Sequence, residues 1–71
     1  MIYHTLAVEC KPGSMRPTFP YARGDEQGRE YEEDGGDSLF FEFDLVASEP
    51  NATQQQALDT NPDVLSWQML D

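Results

Sequence analysis

The chain is short of most of the features that reinforce a small protein. Among its 71 residues Cys10 is the single cysteine, so no disulfide can close within it. His4 is the single histidine, which leaves no cysteine–histidine set at metal-ligand spacing, and no cofactor is expected. No apolar run approaches the roughly 18 residues of a membrane span. Residues 1–10 have neither the basic nor the apolar region of a signal peptide. A cytoplasmic location is the expectation that follows. Bases are scarce too, four against 14 acids, for a net charge of −10. That deficit argues against direct binding of nucleic acid or an anionic membrane, since both are polyanions. It favours a protein partner with a basic surface, although high negative charge also keeps a small domain soluble.

A domain of this length buries only about 60% of the surface its unfolded chain exposes. Without a disulfide or a metal, a partner or a second copy (a homodimer) is the remaining source of stability. The chain reads as one domain, 1–71. Most acids fall between Gly24 and Glu49, against the single base Arg29, whereas residues 11–23 hold Lys11, Arg16 and Arg23 and no acid.

Alternation marks the strands. In residues 2–10, Ile2, His4, Leu6, Val8 and Cys10 share one face, and Tyr3, Thr5, Ala7 and Glu9 the other. Residues 11–27 carry Pro12, Pro17, Pro20, Gly13 and Gly24, too many breakers for regular structure, and read as a long loop packed on the sheet through Met15, Phe19 and Tyr21. Residues 29–33 suggest a short polar edge strand, followed by the glycine-rich turn Asp34–Asp37. Residues 38–47 give the strongest strand, with Leu39, Phe41, Phe43 and Leu45 inward and Phe40, Glu42, Asp44 and Val46 outward. Asn51 and Gln54 stand at capping-box spacing, Pro50 fits an early helical position, and the short helix ends by Asn61-Pro62. Residues 64–70 return as a strand with Leu65, Trp67 and Met69 inward, the alternative being Val64 and Leu70.

The expected fold is α+β: a three- to four-stranded sheet with one short helix, in the order β-loop-β-β-α-β. A right-handed crossover should place the last strand parallel to the third. Residues 58–70 resemble the last half of a ferredoxin-like domain, with the proline-rich loop in place of that fold's first helix. This partial resemblance of pattern implies no function.

Catalytic chemistry finds little footing. Cys10 and His4, the one nucleophile–base pair, lie roughly 20 Å apart at the rise of a strand. Carboxylate pairs are abundant, but nothing in the sequence marks one as desolvated. The Asp34–Asp37 turn with Glu32 and Glu33 lacks the alternating oxygen ligands of a calcium loop. The tripeptide Arg23-Gly24-Asp25 and the sequon Asn51-Ala52-Thr53 are short enough to arise by chance. An enzyme is not expected.

Two features remain. Glu30, Glu32 and Asp34, about 6.6 Å apart along one strand face, would form a ladder of negative charge with Glu42 and Asp44 beside it. Glu33 and Asp37 extend the acidic patch. Phe40 and Val46 point away from the core, and Tyr3, Tyr21 and Tyr31 have no evident core position, so Phe40 and Tyr31 are candidate interface anchors. The expected function is that of a small acidic binding protein. It would inhibit or modulate a partner by occupying a basic, nucleic-acid-binding surface; in size, acidity and want of catalytic groups the chain is similar in general character to phage-encoded anti-CRISPR and anti-restriction inhibitors, with no shared motif. The alternative is a structural or accessory subunit that docks into a larger assembly through an apolar sheet face.

Overall fold

Hydrophobic alternation builds the two central strands, β1 (His4–Cys10) and β3 (Leu39–Leu45), in the computed structural model, which describes residues 2–32 and 36–70. The two pair antiparallel, with Leu6 opposite Phe43, Val8 opposite Phe41 and Cys10 opposite Leu39. Opposite residues share a face, so these apolar side chains form one continuous layer. Leu6, Val8, Cys10, Phe41 and Phe43 are fully buried there. Removing each large side chain in that layer from water contributes about 1.5–3 kcal/mol.

Two edge strands flank this pair, β2 (Glu26–Glu32) beside β3 and β4 (Val64–Met69) beside β1. The order is β2-β3-β1-β4 and every neighbouring pair is antiparallel. β3 and β4 therefore run in the same direction, as the sequence suggested, but β1 lies between them and supplies the hydrogen bonds. This is the split βαβ arrangement of an α+β sheet, with an irregular segment where the ferredoxin-like pattern has its first helix.

The helix α1 (Ala52–Asp59) starts at the expected capping box. Asn51 Oδ1 accepts from the Gln54 amide, and Gln54 Oε1 accepts from the Asn51 amide, both at 2.9 Å. Pro50 precedes the cap and is buried, so it does not occupy the first helical turn as expected. Leu58 enters the core and Gln54 is buried beside it. A buried amide needs partners. Gln54 Nε2 donates to the Pro20 carbonyl at 2.9 Å and to Asp25 Oδ2 at 3.0 Å. The Asp25 carboxylate in turn accepts from the amides of Ala22 and Val46. Helix, connection and sheet are joined at this carboxylate.

Both edge strands contain a bulge, and each corrects a sequence expectation. In β4, Ser66 opposes Glu9 but Val64 opposes Cys10, so Leu65 is one residue too many. A one-residue insertion reverses the facing of everything on one side of it. Leu65 consequently points outward at 52% exposure, while Val64, Trp67 and Met69 pack against the core. In β2, Gln27 opposes Phe43 and Glu30 opposes Phe41, so Gly28 and Arg29 together face Glu42. Glycine is required at the first of these positions, because a Cβ there would lie 2.6 Å from the Glu42 carbonyl oxygen. The bulge also extends this strand back to Glu26, earlier than the expected start at Arg29. Ile2, expected inward, precedes β1 and is largely exposed.

Arg16 fills the gap that the second bulge opens. Its Nη1 donates to the Glu42 carbonyl at 3.1 Å, and its Nη2 to the carbonyls of Gly28 and Arg29 at 3.1 and 3.2 Å. The guanidinium carbon lies 5.2 Å and 4.9 Å from the ring centroids of Phe41 and Phe43. Beside it, Phe19 is buried and stacks on Phe43 at 4.4 Å. Phe19 and Arg16 hold the 11–25 connection on the sheet, with Tyr21 at the margin; Met15, expected to help, is 86% exposed.

Phe41→Ala is expected to cost about 3–5 kcal/mol, enough to abolish a cooperative urea transition in so small a domain. Arg16→Ala and Arg16→Lys should each lose about 2–3 kcal/mol, because an ammonium cannot reproduce the planar fork that spans three carbonyls. A lysine variant with the parent's urea midpoint would show that the fork is not what holds the bulge.

Candidate protein-binding surface

The helix and the 11–25 connection pack on one face of the sheet. The opposite face, here the open face, receives neither Leu58 nor Phe19. Its central strands present Thr5, Ala7 and Glu9 from β1 and Phe40, Glu42 and Asp44 from β3. The β2 register adds Glu26 opposite Asp44 and Tyr31 opposite Phe40. Tyr31 and Phe40 stack with centroids 5.3 Å apart and planes 11° from parallel. Arg29 lies over Tyr31 at 5.1 Å and its Nε donates to Glu42 Oε1 at 3.0 Å.

The expected acidic ladder does not exist as one row. Glu30 opposes Phe41 and Glu32 opposes Leu39, so both project on the helix-bearing side. Glu42 and Asp44 project on the open side. The Gly28–Arg29 bulge causes the split, since it re-phases β2 midway. Glu42 is also unlike an exposed contact: its residue is 8% exposed and its carboxylate is engaged by Arg29. Asp37 is exposed just before β3. Glu33 and Asp34 lie outside the described residues, and so does part of the Asp34–Asp37 turn.

What the structure does bring together is a β2 edge with acids on both of its faces. Glu26 and Asp44 lie on the open side with the Tyr31–Phe40 pair, and Glu30 and Glu32 lie on the other. Composition places Glu26 in the loop, and only the register puts it here. Partial desolvation, then the hydrogen bond and charge of Glu26, with Asp44 and Asp25 beyond, push the Tyr3 phenol above its ordinary value. Further across, Glu9 accepts from Ser38 Oγ at 2.6 Å and Ser66 Oγ at 3.0 Å. Those two bonds hold its carboxyl below the usual range against the opposing effect of desolvation.

Asp25, the acid of the Arg23-Gly24-Asp25 tripeptide, is committed to the internal bonds with Ala22, Val46 and Gln54. Cys10 is fully buried, and desolvation, then the charges of Asp63 and Glu9, push its thiol up to about 11. Comparison with known protein families, curated proteins and solved structures finds no match for this chain.

The state of Cys10 has a measurable consequence. Iodoacetamide at pH 8 should alkylate it far more slowly in the native protein than in denaturant, because thiolate and access are both lacking. The folded thiol holds its proton until about pH 11 while the unfolded one releases it near 9.0. The unfolded state therefore gains as pH rises through that window, and Cys10 should make stability fall there. Native alkylation as fast as that of the unfolded chain would contradict the burial.

Proposed function

We propose that the protein binds a basic surface of another protein through the β2 edge and the adjoining open face, and inhibits or modulates that partner. The observation that carries this reading is the Tyr31–Phe40 stack flanked by carboxylates. An aromatic pair on an uncovered sheet face can anchor a contact, and the surrounding acids select for positive charge. Glu26, Glu30, Glu32, Asp37 and Asp44 form the acidic rim of the proposed interface. Glu42 acts indirectly, by holding Arg29 over Tyr31.

Acids on both sides of one strand suit a partner cleft that clasps the edge. A basic cleft that ordinarily receives a nucleic-acid strand has that character, which keeps the inhibitor reading in view without requiring a phosphate-like row. The docking-subunit reading has less to build on. The apolar sheet face already lies under Phe19 and Leu58, leaving Phe40, Tyr31 and the half-exposed Val46, Leu65 and Leu70, scattered from one edge to the other, for such a contact.

The test is capture of the partner from lysate of the native host by the immobilised protein, at low and high salt. Capture should weaken steeply above roughly 0.2 M salt, where screening shortens the reach of charge. Glu26→Gln, Glu30→Gln, Glu32→Gln and Asp44→Asn combined should abolish it. Each alone should cost about 1 kcal/mol or less, as exposed charge contacts do. If the combined variant captures normally while Tyr31→Ala with Phe40→Ala does not, apolar docking replaces the charge-led reading.

A further inference from the structure

The open face already holds one guanidinium, and the way it is held points to a ligand. Arg29 shares with Gly28 the bulge opposite Glu42, so its side chain starts almost directly across from the carboxylate it serves. A long side chain that begins there must fold back, and it meets Glu42 Oε1 sideways, through Nε alone, at 3.0 Å. Among the described residues, neither Nη group of Arg29 nor Oε2 of Glu42 has a hydrogen-bond partner. The Arg29 side chain is 74% exposed, whereas that of Glu42 is 10% exposed. A carboxylate removed so far from water is best matched by two parallel N–H bonds from a planar guanidinium, and Arg29 supplies one. The guanidinium carbon also lies 5.1 Å from the centroid of the Tyr31 ring, which Phe40 backs. Carboxylate and aromatic face together make a guanidinium seat that its present occupant half fills.

We infer that Arg29 is a placeholder: in the complex an arginine side chain of the partner takes its seat against Tyr31 and Glu42, and Arg29 swings into water. The inference rests on the acidic-edge reading above and names the group which that reading leaves open. It also gives Glu42, which in the free protein only holds Arg29, a direct part in the contact. An arginine arriving from outside is not tethered to the neighbouring strand, so it can approach end-on and bond both Glu42 oxygens. Its plane can lie on the Tyr31 ring as that of Arg29 does. A lysine ammonium has neither the fork nor the flat face. Charge acts in the same direction. Arg29 is the single base between Gly24 and Glu49, and its release leaves Glu26 and Asp44 facing the incoming cation. The released side chain regains rotamer freedom, which offsets the bond it gives up.

Nuclear magnetic resonance on the full chain tests the exchange with two probes of equal charge, tetra-arginine and tetra-lysine, at constant ionic strength. Tetra-arginine should shift the Tyr31 and Phe40 ring signals and speed exchange of the Arg29 Nε proton with water, because its bond to Glu42 is lost. Tetra-lysine should bind at least about 5-fold more weakly and leave that proton bonded. Arg29→Gln empties the seat while its amide can still donate to Glu42, and it should tighten tetra-arginine binding about 5- to 10-fold. Arg23→Gln removes the same charge from an exposed position in the 11–25 connection, and should change binding less than about 2-fold. Tetra-arginine that binds with the Arg29 proton still protected, or tetra-lysine that binds equally well, overturns the placeholder and leaves the acidic edge standing. An Arg29→Gln gain no larger than that of Arg23→Gln does the same. A chain that binds neither probe loses both readings. The proton measurement needs no variant, so it decides the matter even if Arg29→Gln melts early.

Discussion

The contact on which the rest of the structure depends is the Arg16 guanidinium seated against the β2 bulge. A bulge takes carbonyls out of the regular ladder, and carbonyls near a core need donors. Arg16 supplies them to Gly28, Arg29 and Glu42 while its planar face covers the rings of Phe41 and Phe43. One side chain from an irregular connection thereby closes the core and fixes the register of an edge strand. It takes the place that a helix occupies between the first two strands of the ferredoxin-like pattern.

That register determines where charge appears. With the bulge, Tyr31 faces Phe40 and Glu30 faces Phe41, so the acids of β2 divide between its two faces. The opposite edge has no charge along its length, and the molecule is therefore polarised across the sheet, acidic at β2 and neutral at β4.

Much of the frame was legible in the sequence. Leu6, Val8, Phe41 and Phe43 alternate strictly, and Asn51 with Gln54 is a local motif whose partners lie three residues apart. The bulges at Leu65 and at Gly28–Arg29 were not legible, because a single inserted residue leaves no mark in a short polar or uniformly apolar run. Plain alternation therefore puts Leu65 in the core and Glu30, Glu32, Glu42 and Asp44 in one ladder, and the two register shifts undo both. Arg16 was hidden for a different reason. Its partners are 12 to 26 positions away, and a lone arginine among prolines reads as solvated. Arg29 offered a usable signal as the single base among acids, since a buried carboxylate such as Glu42 calls for a nearby cation.

Cross-strand nuclear Overhauser contacts between β2 and β3 measure the bulge directly. With Gln27 opposite Phe43, the bulged register puts the Tyr31 ring against the Phe40 ring and Glu30 opposite Phe41. An unbroken ladder from the same starting pair would put Tyr31 opposite Leu39 and Glu30 opposite Phe40. Ring-to-ring contacts between Tyr31 and Phe40 are the expected result. Contacts from Tyr31 to Leu39 in their place would contradict the division of acids between the faces, and the acidic edge with it.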